Sequence, residues 1–224
     1  MFNDVKTPWK LTALVVLIVV VAFAFFTTLA KAHEITKIDN DAVLIKGEFK
    51  SGLTQQMRLY MDSNPQTTMV ILNSNGGLFS EGILLGQLFN ELKLGAAVVE
   101  GDRCVSACAF AFLGGDRQII EGVLAFHRAW TEDKQMSMNQ LFADGQQVGG
   151  YMTWYIMSMG YNTQLAYFIQ AKTSRNTYLV FKNKEDLDRM FVSMKPDTPV
   201  SKFLLPTGVS AEWMKDHLKA GGAL

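Results

Sequence analysis

Between Ala42 and Phe126, short apolar runs alternate with stretches of helical period, and glycines separate them. That alternation constrains the fold more than any other feature of the chain. Thr67-Thr-Met-Val-Ile-Leu72 is apolar and β-branched throughout, the pattern of a strand buried on both faces. Ile83, Leu84, Leu88 and Leu92 follow at helical spacing in a helix expected over 80–93, and Gly95 stops it. Further strands are expected over 42–49 (ending near Gly47), 96–99, 118–120 and 123–126. Further helices are expected over 53–61 and 106–113. Strands alternating with helices build an α/β fold on a parallel sheet. Ligands of such sheets bind beyond the carboxyl ends of the strands.

After residue 130 the pattern changes. The stretch 130–150 mixes glycines, polar residues and methionines without a clean period. Helices are expected over 151–159 and 162–172, with a third capped by Asn183 and running to Met190. The aromatic residues Tyr151, Trp154, Tyr155, Tyr161, Tyr167 and Phe168 read as packing, with an oligomer or membrane-facing surface as the alternative.

The N-terminus is distinct. The 20 residues from Leu11 to Ala30 carry no charge. As a helix they would reach roughly 30 Å, the thickness of a bilayer core. Lys6 and Lys10 precede them, and Ala30-Lys31-Ala32 offers a small-x-small cleavage pattern. Two outcomes follow: a retained single-pass anchor, with the rest of the chain outside the cytoplasm on the periplasmic side, or secretion after cleavage near Ala32. The domain plan is an anchor or signal segment over 1–32, a polar linker over 33–41, a folded domain over 42–200 and a tail over 201–224. Lys+Arg and Asp+Glu both number 21, so the formal net charge is zero. No basic block stands out, which argues against a nucleic-acid partner.

The chemistry-bearing residues cluster after expected strands. Ser106 lies in Gly101-Asp-Arg-Cys-Val-Ser-Ala-Cys-Ala-Phe110, where a strand-like run meets a run of small residues. Gly76-Gly77 closes Leu72-Asn-Ser-Asn-Gly-Gly77, and His127 ends Leu124-Ala-Phe-His127. A serine hydroxyl needs a base to take its proton, and a histidine near neutrality suits that task. Of the three histidines, His33 lies beside the apolar segment and His217 near the C-terminus. Only His127 follows an apolar strand near the serine. Gly77 and Ala107 can offer backbone N–H groups to an oxyanion. Each residue also has a plainer reading: Ser106 as a helix cap, His127 as a core histidine, the glycines as a turn. Cys104 and Cys108 flank the serine, either as a disulfide or as two small buried hydrophobes. No His or Cys cluster with ligand spacing accompanies them, so no metal is expected.

Taken together, these segments resemble the Clp protease proteolytic subunit and the signal peptide peptidase A-type serine proteases, within the wider crotonase-like fold. The likeness covers residues 43–130 well and 172–191 loosely. Leu72-Asn-Ser-Asn-Gly-Gly77 is similar to that family's Ile-Asn-Ser-Pro-Gly-Gly loop, with Asn75 in place of proline. Val105-Ser-Ala107 resembles its nucleophile step, and Phe126-His127 its base. The resemblance implies a core of βαβ units and a homo-oligomer. It also implies Ser106 as nucleophile, His127 as general base, and Gly77 with Ala107 as oxyanion donors. A peptide or membrane-protein segment would bind as an added strand along Gly76 and Leu78, with no cofactor. Thr173-Ser-Arg-Asn176 places Asn176 where the family has aspartate. Asparagine can fix the imidazole's tautomer but supplies no negative charge. In the serine-protease template, the aspartate-to-asparagine exchange lowers turnover about 10⁴-fold.

Three readings compete: a membrane-anchored serine hydrolase acting as a peptidase, a non-catalytic binding or scaffold module on the same fold, and a thiol chemistry at Cys104 or Cys108.

Overall fold

The computed structural model describes residues 33–129 and 137–191, with side chains through residue 189. Strands β1 (His33–Lys37), β2 (Ala42–Gly47), β3 (Met69–Asn73), β4 (Gly95–Val98) and β6 (Gln118–Ile120) form one sheet in the order β1-β2-β3-β4-β6. β2, β3, β4 and β6 are parallel, and β1 closes the edge antiparallel to β2. Strands β5 (Arg103–Val105), β7 (Val123–Phe126) and β8 (Leu179–Phe181) form a second sheet, with β5 parallel and β8 antiparallel to β7. Helices α1 (Leu53–Ser63), α2 (Phe79–Glu91), α3 (Ala107–Leu113), α4 (Met138–Ser158), α5 (Thr163–Lys172) and α6 (Lys184–Phe191) complete the described residues. The chain is a mixed α/β structure with a parallel sheet, as the alternation in its sequence demands.

Burial explains the sequence pattern. β4 is buried along its whole length and β3 over most of it, so both read as near-continuous apolar runs. α3 is buried at every position, Ala107 through Leu113, and its small residues let it lie close against α2. Under it, edge-on rings run from Phe79 to Phe110 (5.0 Å), Phe110 to Phe126 (5.4 Å) and Phe126 to Phe181 (6.0 Å). Such pairs contribute about 0.5–1.5 kcal/mol each beyond their buried area. Tyr155 of α4 is fully buried and satisfies its hydroxyl by donating to the Phe110 carbonyl at 2.6 Å.

α1 starts at Gly52, which has no side chain with which to cap. Glu81 of α2 supplies the cap from across the fold. Its carboxylate accepts from Gly52 N–H (2.8 Å), Thr54 N–H (2.9 Å) and the Thr54 hydroxyl (2.6 Å). Burial pushes the Glu81 carboxyl up, but these three hydrogen bonds outweigh it and hold the group below its ordinary range.

Three expectations need correction. Residues 33–37, expected as linker, form β1. Only Ile35 of that strand packs on the core, too little alternation to read as a strand without its partner β2. The region before 151, expected to be irregular, is helical from Met138. Ser137 and Gln140 make a reciprocal capping box there. Gly145, Gly149 and Gly150 lower helix propensity along it, and Met138 and Phe142 face outward, so no apolar stripe betrays it. The three-residue strands β5 and β8 make a second sheet, where the sequence had suggested one.

The segments 1–32 and 201–224, the stretch 130–136 and His217 lie outside the described residues. Among the described residues, no helix is long and apolar enough to cross a membrane.

Candidate active site

The site forms where the two sheets meet. Ser74, just past β3, makes an isolated bridge to Cys104 of β5. Its N–H donates to the Arg103 carbonyl (2.8 Å), and its carbonyl accepts from Val105 N–H (3.0 Å). The buried Ser74 hydroxyl donates to the Gly47 carbonyl and accepts from Gly76 N–H (2.9 Å). Its main chain thereby joins β5, while its side chain ties the glycine loop to the end of β2. Asn75 is tied to the same strand, its side-chain oxygen accepting from Arg103 Nε at 2.6 Å.

Ser106 follows β5 directly. Its N–H donates to the Ala125 carbonyl at 2.9 Å, and its carbonyl accepts from Ala109 N–H at 2.9 Å. The chain turns from strand to helix at this one residue, with φ 59° and ψ −124°. Positive φ at a residue bearing a Cβ costs of order 1–3 kcal/mol, and such strain concentrates at functional sites. Ser106 thus stands at the cap position of α3 without side-chain capping in this structure. The residue is partly exposed, and its hydroxyl makes no hydrogen bond among the described residues. A strained strand-to-helix turn that presents a serine hydroxyl is the geometry of a nucleophile elbow.

The glycine pair is pressed against that elbow. A Cβ on Gly76 (φ 95°) would lie 2.6 Å from the Val105 carbonyl oxygen, 2.7 Å from Ser106 Cβ and 2.9 Å from the Ala107 nitrogen. Only glycine permits this approach. Gly77 (φ 145°) has no room for a Cβ either, because the Phe49 backbone fills the space. Gly76 spends its own polar groups internally: N–H to Ser74, and carbonyl to Phe49 N–H at 2.7 Å. Leu78 donates its N–H to the Phe49 carbonyl (2.8 Å) and leaves its side chain exposed. The Gly77 and Ala107 N–H groups form no hydrogen bond among the described residues. Two free amides thus flank the elbow, one on the loop packed against it and one on the residue after Ser106.

His127 comes from the end of β7. β5 and β7 are parallel, with Val105 opposite Ala125, so His127 leaves the ladder beside the turn at Ser106. The imidazole is nearly buried and sits edge-on to Tyr178 at 5.2 Å. Its Nδ1 lies 2.9 Å from the Arg128 carbonyl. A carbonyl can only accept, so Nδ1 carries the proton and Nε2 keeps the lone pair. Burial pushes the His127 pKa below its ordinary value, against a smaller opposing effect of that hydrogen bond. The ring is thus held neutral, the form a general base requires. No hydrogen bond joins Ser106 to the imidazole in this structure.

Asn176, expected as the third residue, is exposed in a turn closed by Ser174 and Thr177, and its N–H donates to Ser174 Oγ at 3.2 Å. No hydrogen bond links it to the ring, whose Nδ1 is already engaged by Arg128. Sequence reasoning passed over Ser74, the Arg128 carbonyl and Thr173. A hydroxyl inside Asn-Ser-Asn-Gly-Gly was the available signal for the first, and a backbone acceptor leaves none.

Cys104 and Cys108 are joined as a disulfide, with Cα atoms 5.1 Å apart. Both are fully buried, and the bridge encloses Ser106. With both thiols consumed and neither sulfur exposed, thiol chemistry at these positions is not supported. Among the described residues, no cluster of three or more His, Cys, Asp or Glu could hold a metal.

No family model matches the chain. No curated protein matches it. Among solved structures, it is similar to a serine-to-alanine mutant of the 1510-N membrane-bound stomatin-specific protease. The TM-score is 0.47, with 18% identity, over 67% of this chain and 75% of that one. That likeness is too remote to bear on activity.

Proposed function

We propose that the chain is a membrane-anchored serine hydrolase of the peptidase type. The observation that carries this reading is the backbone at Ser106: a positive-φ serine with an uncommitted hydroxyl, set beside two free amides. Strain of that kind persists only where surrounding structure enforces it, and here it serves no cap.

In the proposed reaction Ser106 Oγ attacks a peptide carbonyl while His127 Nε2 takes its proton. The developing oxyanion accepts hydrogen bonds from Gly77 N–H and Ala107 N–H. The imidazolium then protonates the leaving amine, and water, activated by the same nitrogen, releases the acyl group. The exposed Leu78 side chain would meet a peptide or membrane-protein segment lying along the glycine loop. No cofactor is required. The anchor proposed over 11–30 would hold the domain at a membrane, outside the cytoplasm. The exposed Phe142, Trp154 and Met157 on α4 support a surface for self-association.

A fluorophosphonate probe tests this on the intact chain. Covalent labelling is expected at Ser106, absent in Ser106→Ala and strongly slowed in His127→Ala. A folded chain that takes no label would refute the hydrolase reading.

The missing hydrogen bond between Ser106 and His127 favours a second reading, a peptide-binding module without turnover. Catalytic hydrogen bonds often tighten only once substrate is bound, so the two readings diverge in the bound state. A peptide that binds and is recovered uncut, with no label on Ser106, would select the binding module.

A further inference from the structure

The task expected of a third catalytic side chain is to fix the imidazole's tautomer and orientation. We infer that in this chain Thr173 performs it indirectly, as a positioning residue that holds the His127–Arg128 peptide so that the Arg128 carbonyl meets Nδ1–H. The inference rests on His127 being the base of the proposed reaction.

Three hydrogen bonds run donor to acceptor from the ring to α5, the first two joined through the backbone of Arg128. His127 Nδ1–H donates to the Arg128 carbonyl at 2.9 Å. Arg128 N–H donates to Thr173 Oγ1 at 2.7 Å, across 45 residues of sequence. Thr173 Oγ1–H donates to the Ile169 carbonyl one turn back in α5. A hydroxyl has one proton to give, and this one is spent on Ile169. Its lone pair is therefore aimed at Arg128 N–H. Thr173 ends α5 and is buried, so it is a fixed point. By holding the peptide that follows His127, it sets the path the backbone takes when Arg128 folds its carbonyl back to the ring.

A local role alone would end at Ile169. A threonine that only closed the last turn of α5 would need no partner on the segment that follows β7. Asn176, three residues further on, reaches neither the ring nor the Arg128 peptide. A carbonyl carries only partial negative charge, so this arrangement secures the tautomer without the full electrostatic support of a carboxylate.

The test uses the full chain in detergent micelles, with two readouts. Nitrogen-15 chemical shifts of the His127 ring report its tautomer whether or not the chain turns over. Phosphonate labelling of Ser106 reports the base. In the wild type, the shifts are expected to show a protonated Nδ1. In Thr173→Val, which keeps the branched shape and loses the hydroxyl, they should move toward a tautomer mixture. Labelling should slow roughly 10–100-fold. Thr173→Ser should restore both. If Thr173→Val does not fold, Thr173→Ala is read against Thr173→Ser in the same way. Ring shifts unchanged in a folded hydroxyl-less variant overturn the inference, as does an Asn176→Ala variant that alone moves them. If the shifts respond to Thr173 but no protein labels, positioning stands and the hydrolase reading fails. If labelling is normal and the shifts are indifferent to Thr173, the hydrolase reading stands and positioning fails.

Discussion

Ser106 holds a backbone conformation that favours glycine, and its hydroxyl returns nothing to the helix it precedes. Replacing it should therefore separate stability from reactivity. Ser106→Gly is expected to be more stable than Ser106→Ala by about 1 kcal/mol, because alanine keeps the Cβ that positive φ penalises. Both should be unreactive. Thermal unfolding of the two variants side by side measures the difference, and equal midpoints would mean that the turn carries no strain. His127 supplies a pH prediction with a definite sign. Burial lowers its folded pKa below the free-histidine value of about 6.5. The neutral ring is thus the native form, and its contribution to stability is present above that value and lost as pH falls through the depressed one. The acid limb of the labelling rate should fall below pH 6.5 by the same logic, and a limb above it would contradict the burial seen here.

At the scale of elements, two devices hold the elbow and the helices around it. The Cys104–Cys108 bridge closes a short loop around Ser106. Chain entropy for a loop of that length gives about 2 kcal/mol of stabilisation. Replacing both cysteines by alanine should lower the melting temperature by roughly 4–8 °C. An unchanged melting temperature would mean that neighbouring packing alone secures the turn. The second device is Glu81 at the start of α1. Its folded pKa lies below the ordinary carboxylate range, so its stabilisation is present above the unfolded value and lost as pH falls through the folded one. Glu81→Ala should cost about 1–3 kcal/mol at neutral pH, and the gap to wild type should close in acid. The βαβ order was legible before any coordinates, because α2, β3 and β4 bury enough apolar surface to leave a clear period. β1 and the first half of α4 were not. One is held by its partner strand, and the other by a capping box beneath an exposed face. Ser106, the Gly76-Gly77 loop and His127 could be picked out by residue type and spacing. The role expected of Asn176 could not be checked that way, because the acceptor that meets the ring is a main-chain carbonyl.

For the whole molecule, the decisive feature is the join between the two sheets. The Ser74 main chain links β3 to β5, which carries the elbow, and its hydroxyl accepts from Gly76 N–H, so one residue ties both the glycine loop and the strand before Ser106. The proposed anchor is tested separately, by alkaline extraction of membranes from cells making the full chain. Retention at full mass identifies an anchor, release at a mass corresponding to cleavage near Ala32 identifies a signal segment, and release at full mass contradicts both. The account as a whole is tested most directly by a crystal structure of the phosphonate-treated chain. It predicts a phosphorus–oxygen bond at Ser106 Oγ, the phosphoryl oxygen within about 3 Å of the Gly77 and Ala107 nitrogens, and His127 Nε2 turned toward the adduct. An unmodified Ser106, or a phosphoryl oxygen pointing away from both amides, would contradict it.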